Sequence, residues 1–163
     1  MPKSAARAKR PRNEAPAATE PLRLGPLADF IGFHLRLAQE ASFHAFARRV
    51  HGFAMRPGRF AVLTLIAENP GLSQTALGRA SGRDKSSLTP ALNDLVRRGL
   101  LRRRRLASDR RSYALSLTPK GTTLLERLTA HARAHDRELD RIVGLKSKAE
   151  FMRTLRRIAM TLL

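Results

Sequence analysis

The stretch Arg83–Arg111, RDKSSLTPALNDLVRRGLLRRRRLASDRR, decides the fold. Asp84 is placed to cap a helix, because its side chain can accept from the free N–H groups of a first turn. Leu88, Leu92 and Leu95 then share one face, with Ala91 and Val96 at its borders. At about 100° per residue, Ser86, Pro90, Asn93 and Arg97 point the opposite way and Thr89 flanks them. A face of small, hydrogen-bonding side chains suits close approach to a groove, whereas a helix shaped for solubility carries Glu–Lys pairs. Pro90 removes one helical hydrogen bond about six residues past the cap, so a kink is expected there. Gly99 ends the helix and Leu100-Leu101 open a strand. Arg102 to Arg111 make a basic tip, and Ser112 to Leu117 return. In that return Tyr113, Leu115 and Leu117 alternate with Ala114 and Ser116. A helix followed by a basic hairpin can fill one DNA groove and reach the next.

Upstream, Ser73 is a candidate cap for a short helix Gln74–Ala80, and Ser81-Gly82 breaks the chain before Asp84. Two short helices joined by a glycine-containing turn form a helix-turn-helix. Before them, Phe60, Leu63 and Ala67 mark a helix stripe, with Val62 and Ile66 beside it and Asn69-Pro70-Gly71 as its stop. A longer helical pattern starts at Pro26 and runs through Leu27, Phe30, Ile31, His34, Leu37, Ala38, Ala41, Ala45 and Phe46. Phe33, Phe43 and Val50 lie off that stripe, so this helix needs a second partner besides its own core. Gly52 and Pro57 bracket its end. Downstream, Thr118 with Pro119 signals a helix start, and Leu124, Leu125, Leu128, Ala132, Leu139 and Ile142 follow for some five turns. Gly144 closes it. Ser147-Lys148-Ala149-Glu150 reads as a capping box, with Phe151, Leu155, Ile158 and Leu162 on one face after it. The expected fold is mainly α with a small β-hairpin wing, a winged helix-turn-helix plus a helical dimerisation region.

The 163 residues carry 32 Lys and Arg against 13 Asp and Glu, a formal net charge of +19. Such self-repulsion implies an anionic partner, and the excess of Arg over Lys suits phosphates and guanine edges. Codon bias in a GC-rich genome explains part of the excess but not its clustering near residues 97–111. There is no cysteine, so disulfides, thiolate catalysis and Cys-based zinc sites are out. No apolar run approaches a membrane span or a signal core, and a cytoplasmic, nucleoid-associated bacterial protein is expected. Residues 1–24 have little to bury and read as a disordered basic tail.

No Gly-rich phosphate loop, nucleophile elbow or H-E-x-x-H is present, and acids are scarce, so an enzyme is not expected. His131 and His135 lie at i, i+4 near Asp136 and Glu138, but no third ligand motif accompanies them, and no metal or cofactor is expected. His34 falls on an apolar stripe, where a histidine is more often a hydrogen-bonded core or pocket residue.

The chain resembles the MarR family, the multiple-antibiotic-resistance regulators of bacteria. The matching residues are Leu72–Leu77 (LSQTAL), Asp84–Thr89 (DKSSLT), Leu95–Leu101 (LVRRGLL), and Asp109-Arg110-Arg111 with Leu115–Gly121 (LSLTPKG). A D-x-R wing followed by L-x-L-T-x-x-G is specific in combination. The resemblance covers about residues 27–162, and Pro90 departs from it. It implies a domain over 25–163, with dimerisation helices in 25–56 and 119–163 around a DNA-binding module in 57–118. The implied DNA-binding residues are Gln74, Lys85, Ser86, Ser87, Thr89, Pro90, Asn93 and Arg97 with Asp109, Arg110 and Arg111 at the wing. Either wing arginine could be structural. A homodimer would read a palindrome of double-stranded DNA with half-sites roughly 34 Å apart. Many members are repressors released by a small effector, often an aromatic acid or its acyl-CoA thioester. Carried onto this chain, the effector residues are Phe30, His34, Arg36, Leu37, Arg56, Phe60 and Leu63, with Arg48 and Arg49 as further phosphate partners. The duller reading keeps the phenylalanines as core and the arginines solvated.

Another function class stays open: a sequence-neutral architectural or nucleoid protein, which the charge and basic tail favour. An RNA-binding module is disfavoured, because no aromatics interleave the basic stretches to stack on bases.

Overall fold

Three side-chain caps set the frame. In the computed structural model, which describes residues 22–53, 55, 57–105 and 113–162, Ser73 accepts from the Ala76 N–H at 3.2 Å and starts α3 (Gln74–Ser81). Asp84 accepts from the Ser87 N–H at 2.8 Å and starts α4 (Lys85–Arg97). Thr118 accepts from the Gly121 N–H at 3.0 Å and starts α5 (Pro119–Val143). Each oxygen satisfies a donor that a helix's first turn leaves free. Between α3 and α4 the chain turns at Gly82, whose φ of 61° is left-handed and favours glycine.

The described residues fall into two compact units, divided between Leu37 and Ala38 and taken separately below. In the first, Gly25–Asp29 is a single 3-10 turn, Phe30 is extended, and α1 (Ile31–Arg49) begins only afterwards. The expected continuous helix from Pro26 is therefore broken at Phe30. His34 Nε2 donates to the Ala28 carbonyl at 2.6 Å and ties the turn to the helix.

In the second unit α2 (Pro57–Glu68) supplies Val62, Leu63 and Ile66 to a core completed by Leu77 of α3, Leu88, Leu92 and Leu95 of α4, and Leu128 of α5. Truncating one of these leucines to Ala is worth roughly 2–5 kcal/mol, since transfer and cavity costs add. The sheet holds three strands, not the expected two. β1 (Leu72–Ser73), β2 (Leu101–Arg105) and β3 (Tyr113–Leu117) lie in the order β1-β3-β2, antiparallel throughout. β3 is central, which corrects its reading as a simple alternating strand. Leu115 is buried as expected, but so is Ala114, set between Ser73 and Arg104, while Tyr113 is exposed. A small side chain flanked on both edges is covered whichever face it occupies.

The end of α4 is fastened to the start of α5. The Thr118 N–H donates to the Leu100 carbonyl at 3.1 Å, the Thr118 hydroxyl to the Gly99 carbonyl at 2.6 Å, and Lys120 Nζ to the Arg98 carbonyl at 3.1 Å. A Cβ on Gly121 would stand 2.1 Å from the Leu100 carbonyl oxygen, so only glycine fits. α6 (Leu145–Leu162) starts at Leu145, two residues before the expected capping box. The carbonyl of Gly144 accepts from Ser147 and Lys148, so Ser147 lies inside the helix. Lys148 reaches back to Asp140 at 2.6 Å and Asp136 at 3.6 Å. α6 buries no residue, and Phe151, Met152, Met160 and Leu162 are exposed, as are Ile142 and Leu145. No helix of the described residues is long and apolar enough to cross a membrane.

Candidate functional site

α4 turns one face to the core and leaves the other free. Lys85, Ser86, Ser87, Pro90, Asn93 and Arg97 are exposed, and Thr89 is half-buried. The helix runs unbroken through Pro90. The proline leaves the Ser86 carbonyl without its usual helical donor, but on an exposed face water can supply one. The Thr89 hydroxyl donates to the Lys85 carbonyl at 2.8 Å and accepts from Gln74 Nε2 at 2.8 Å, which locks α3 to α4. Gln74 and Thr89 are thus a pair spanning the two helices. The Ser86 hydroxyl, and after it the Ser87 backbone N–H, hold the Asp84 carboxyl down from its ordinary 3.8 to about 2.

Asp94 gathers arginines from two elements. Arg59 of α2 meets it at 2.9 Å, Arg97 one turn along pairs with it, and Arg98 approaches to 3.9 Å. Arg97 is 76% exposed against 17% for Asp94, so its guanidinium reaches outward from an anchored carboxylate. On β2 the four arginines separate. Arg103 Nη1 donates to Asn93 Oδ1 at 2.8 Å, while Arg102, Arg104 and Arg105 are exposed. The wing-tip residues Asp109, Arg110 and Arg111 lie outside the described residues, as does Arg56.

A cavity of about 430 Å³ opens between α1, α2 and α5. Phe43, Phe46, Phe60 and Ala132 line it together with the polar residues Ser42, Thr129, Arg133, His135 and Asp136. His135 is 9% exposed; its Nε2 lies 3.0 Å from the Ser42 hydroxyl, its ring meets Phe46 edge-on at 5.9 Å, and its buried Nδ1 has no partner.

Of the effector residues expected from sequence, Phe60 lines this cavity. Leu63 is fully buried in the core and is not on the wall. Phe30, His34, Arg36 and Leu37 belong to the first unit. There Phe30 is 56% exposed, His34 holds Ala28, and Arg36 lies over the Phe33 ring at 5.6 Å. Arg49 is paired with Glu138. Sequence reasoning passed over Ser42, Phe43, Phe46, Arg133 and His135, which line this cavity. One signal was available: His135 falls seven residues after Leu128, on the apolar stripe of α5. His131, its i−4 neighbour, instead packs on Phe53 at 5.4 Å, so the two rings serve different partners.

The family model described as the MarR family matches residues 55–113. A Thauera aromatica protein described as "Putative transcriptional regulatory protein for hcr operon" is 39% identical over 131 residues, 74% of this chain and 79% of that protein. The chain belongs to the MarR family. Among solved structures, the repressor CouR bound to a 23-mer DNA duplex is 33% identical with a TM-score of 0.78, over 86% of this chain and 99% of that one. CouR bound to p-coumaroyl-CoA matches at 30% identity and a TM-score of 0.77, over 85% and 98%. PcaV of Streptomyces coelicolor, in complex with its natural ligand, is 27% identical with a TM-score of 0.80, over 87% and 100%. This MarR-family chain is therefore a winged-helix transcriptional regulator and not an enzyme.

Proposed function

We propose that this regulator is a homodimeric repressor released from a palindromic operator by a small aromatic ligand, an aromatic acid or its CoA thioester. The carrying observation is a cavity lined by three phenylalanines together with Arg133 and His135. An aromatic ring would lie against Phe43, Phe46 and Phe60, and a carboxylate or thioester carbonyl would accept from Arg133 or His135. CouR with p-coumaroyl-CoA and PcaV with its natural ligand support a ligand-responsive reading. The exposed apolar residues of α6 and the end of α5 support a second copy as partner, since a lone chain seldom leaves such a face uncovered. On this reading the segments 25–56 and 119–163 join protomers, and 57–118 binds double-stranded DNA through Gln74, Lys85, Ser86, Ser87, Thr89, Pro90, Asn93, Arg97 and the wing residues Asp109, Arg110 and Arg111.

The phenylalanines of α1 and α2 and the polar groups of α5 frame the cavity, so a guest that alters their spacing would alter the angle at which α4 is offered to DNA. Population shift needs only that the guest bind one spacing more tightly than the other. A thermal-shift screen of aromatic acids and their CoA esters tests the reading. A ligand at 100 times its dissociation constant adds about 2.7 kcal/mol, which appears as a raised melting temperature. The same ligand must release a duplex carrying the operator. Ligands that raise the melting temperature yet leave DNA binding unchanged would refute release.

A further inference from the structure

We infer that Arg103, on the wing strand, is a positioning residue for base reading: it turns the Asn93 carboxamide so that its N–H groups, not its oxygen, face the DNA groove. The inference rests on the proposal that α4 reads an operator.

On β2 the side chains alternate, and Arg103 shares a face with Leu101, which is 2% exposed, and lies across from Leu115, which is fully buried. Arg105 shares that face too, but of the Arg102–Arg105 run only Arg103 is half-buried; the other three are exposed. From there its Nη1 reaches Asn93 Oδ1 at 2.8 Å, while Nε and Nη2 are buried with no partner. A guanidinium only donates hydrogen bonds, so the carboxamide atom it meets must be the oxygen. Chemistry fixes the orientation of this amide, although oxygen and nitrogen have nearly the same shape.

The consequence is a choice of base. An asparagine pairs bidentately with adenine by donating to N7 and accepting from the N6 amino group. Arg103 occupies one of the two lone pairs of Oδ1 and draws that atom towards the wing strand, so the amide N–H groups are the half turned to the groove, and they suit its acceptors: N7 and O6 of guanine or O4 of thymine. The two unpartnered nitrogens make the arrangement costly to keep idle, because a buried charged donor without an acceptor forgoes its water. What holds the guanidinium inward is its bond to Asn93, the one acceptor it has among the described residues.

The test is selection of the full-length protein on a pool of duplexes with a randomised 20-base-pair centre, followed by affinity measurement on single-base variants of the selected site. Asn93→Ala identifies the position that Asn93 reads. The wild-type protein is expected to favour guanine or thymine there, and Arg103→Met to shift the preference towards adenine, by roughly fivefold to a hundredfold. Arg103→Lys, which keeps a donor and the charge, should retain the wild-type base. Arg104→Met removes a charge from the same strand without touching Asn93, and should weaken all sites alike and flatten the salt dependence by about one unit. Melting curves confirm that each variant is folded. If the wild-type protein prefers adenine at the Asn93 position, or if Arg103→Met weakens all positions uniformly as Arg104→Met does, the positioning role is wrong while operator reading stands. If the wild-type protein enriches no motif, operator reading itself falls and this inference with it.

Discussion

Gly121→Ala is the sharpest probe of the joint between α4 and α5. The new Cβ would lie 2.1 Å from the Leu100 carbonyl oxygen and 3.1 Å from its carbon, where real Cβ atoms stay beyond 3.0 Å. The obstacle is backbone and cannot swing aside as a side chain could, so the two elements must part by about 1 Å. That movement stretches the Thr118 N–H bond to Leu100 and the Thr118 hydroxyl bond to Gly99, now 3.1 and 2.6 Å. Overpacking costs about 1–3 kcal/mol and each weakened hydrogen bond about 0.5–1.5, against a gain of at most ~1 from the better helix propensity of alanine. The net expectation is a loss of roughly 1–5 kcal/mol, a fall in melting temperature of roughly 2–20 °C at this chain length. Thermal melting by circular dichroism measures it, beside Gly52→Ala, whose Cβ would meet nothing within 4 Å. The reasoning is refuted if Gly121→Ala melts with the wild-type protein, or if the two alanine variants fall equally.

Three further outcomes are expected. Asp94→Asn frees Arg97 and loosens Arg59, so DNA binding should tighten and its salt slope steepen by about one unit in an anisotropy titration; unchanged slopes would mean Arg97 meets no phosphate. Asp84 has a folded-state pKa held near 2 against an ordinary 3.8, so its stabilising contribution is present above about pH 4 and is lost as pH falls towards 2. Melting temperatures of the wild-type protein and Asp84→Asn should therefore converge over that window, and a constant gap would contradict the cap's charge. Finally, His135→Phe removes the bond to Ser42 and the free Nδ1, and should lower the melting shift produced by an aromatic effector at least tenfold in ligand concentration while leaving DNA affinity intact; an unchanged dose response would move the effector elsewhere.

Much of the fold was legible because its signals are local. Ser73, Asp84 and Thr118 cap helices with their own side chains, and Leu88, Leu92 and Leu95 repeat with the helix they bury. The break at Phe30 was missed because the apolar period runs straight through it. The start of α6 was misplaced because Ser147-Lys148-Ala149-Glu150 matches a capping box, while the Gly144 carbonyl accepts the first helical bonds. β1 is two residues long and owes its existence to pairing with β3, forty residues away, which no local pattern announces.

The sequence by itself determined the kind of protein: spacing and caps specify a helix-turn-helix with a basic hairpin, and a net charge of +19 calls for an anionic partner. Tertiary structure decided which of the like residues do what. Within Arg102–Arg105, only pairing with β3 turns Arg103 inward to Asn93. Among five histidines, only the packing of α5 on α1 sets His135 against Ser42 on a cavity wall. Period and charge are carried by neighbours along the chain, but the partner of a hydrogen bond is chosen across it.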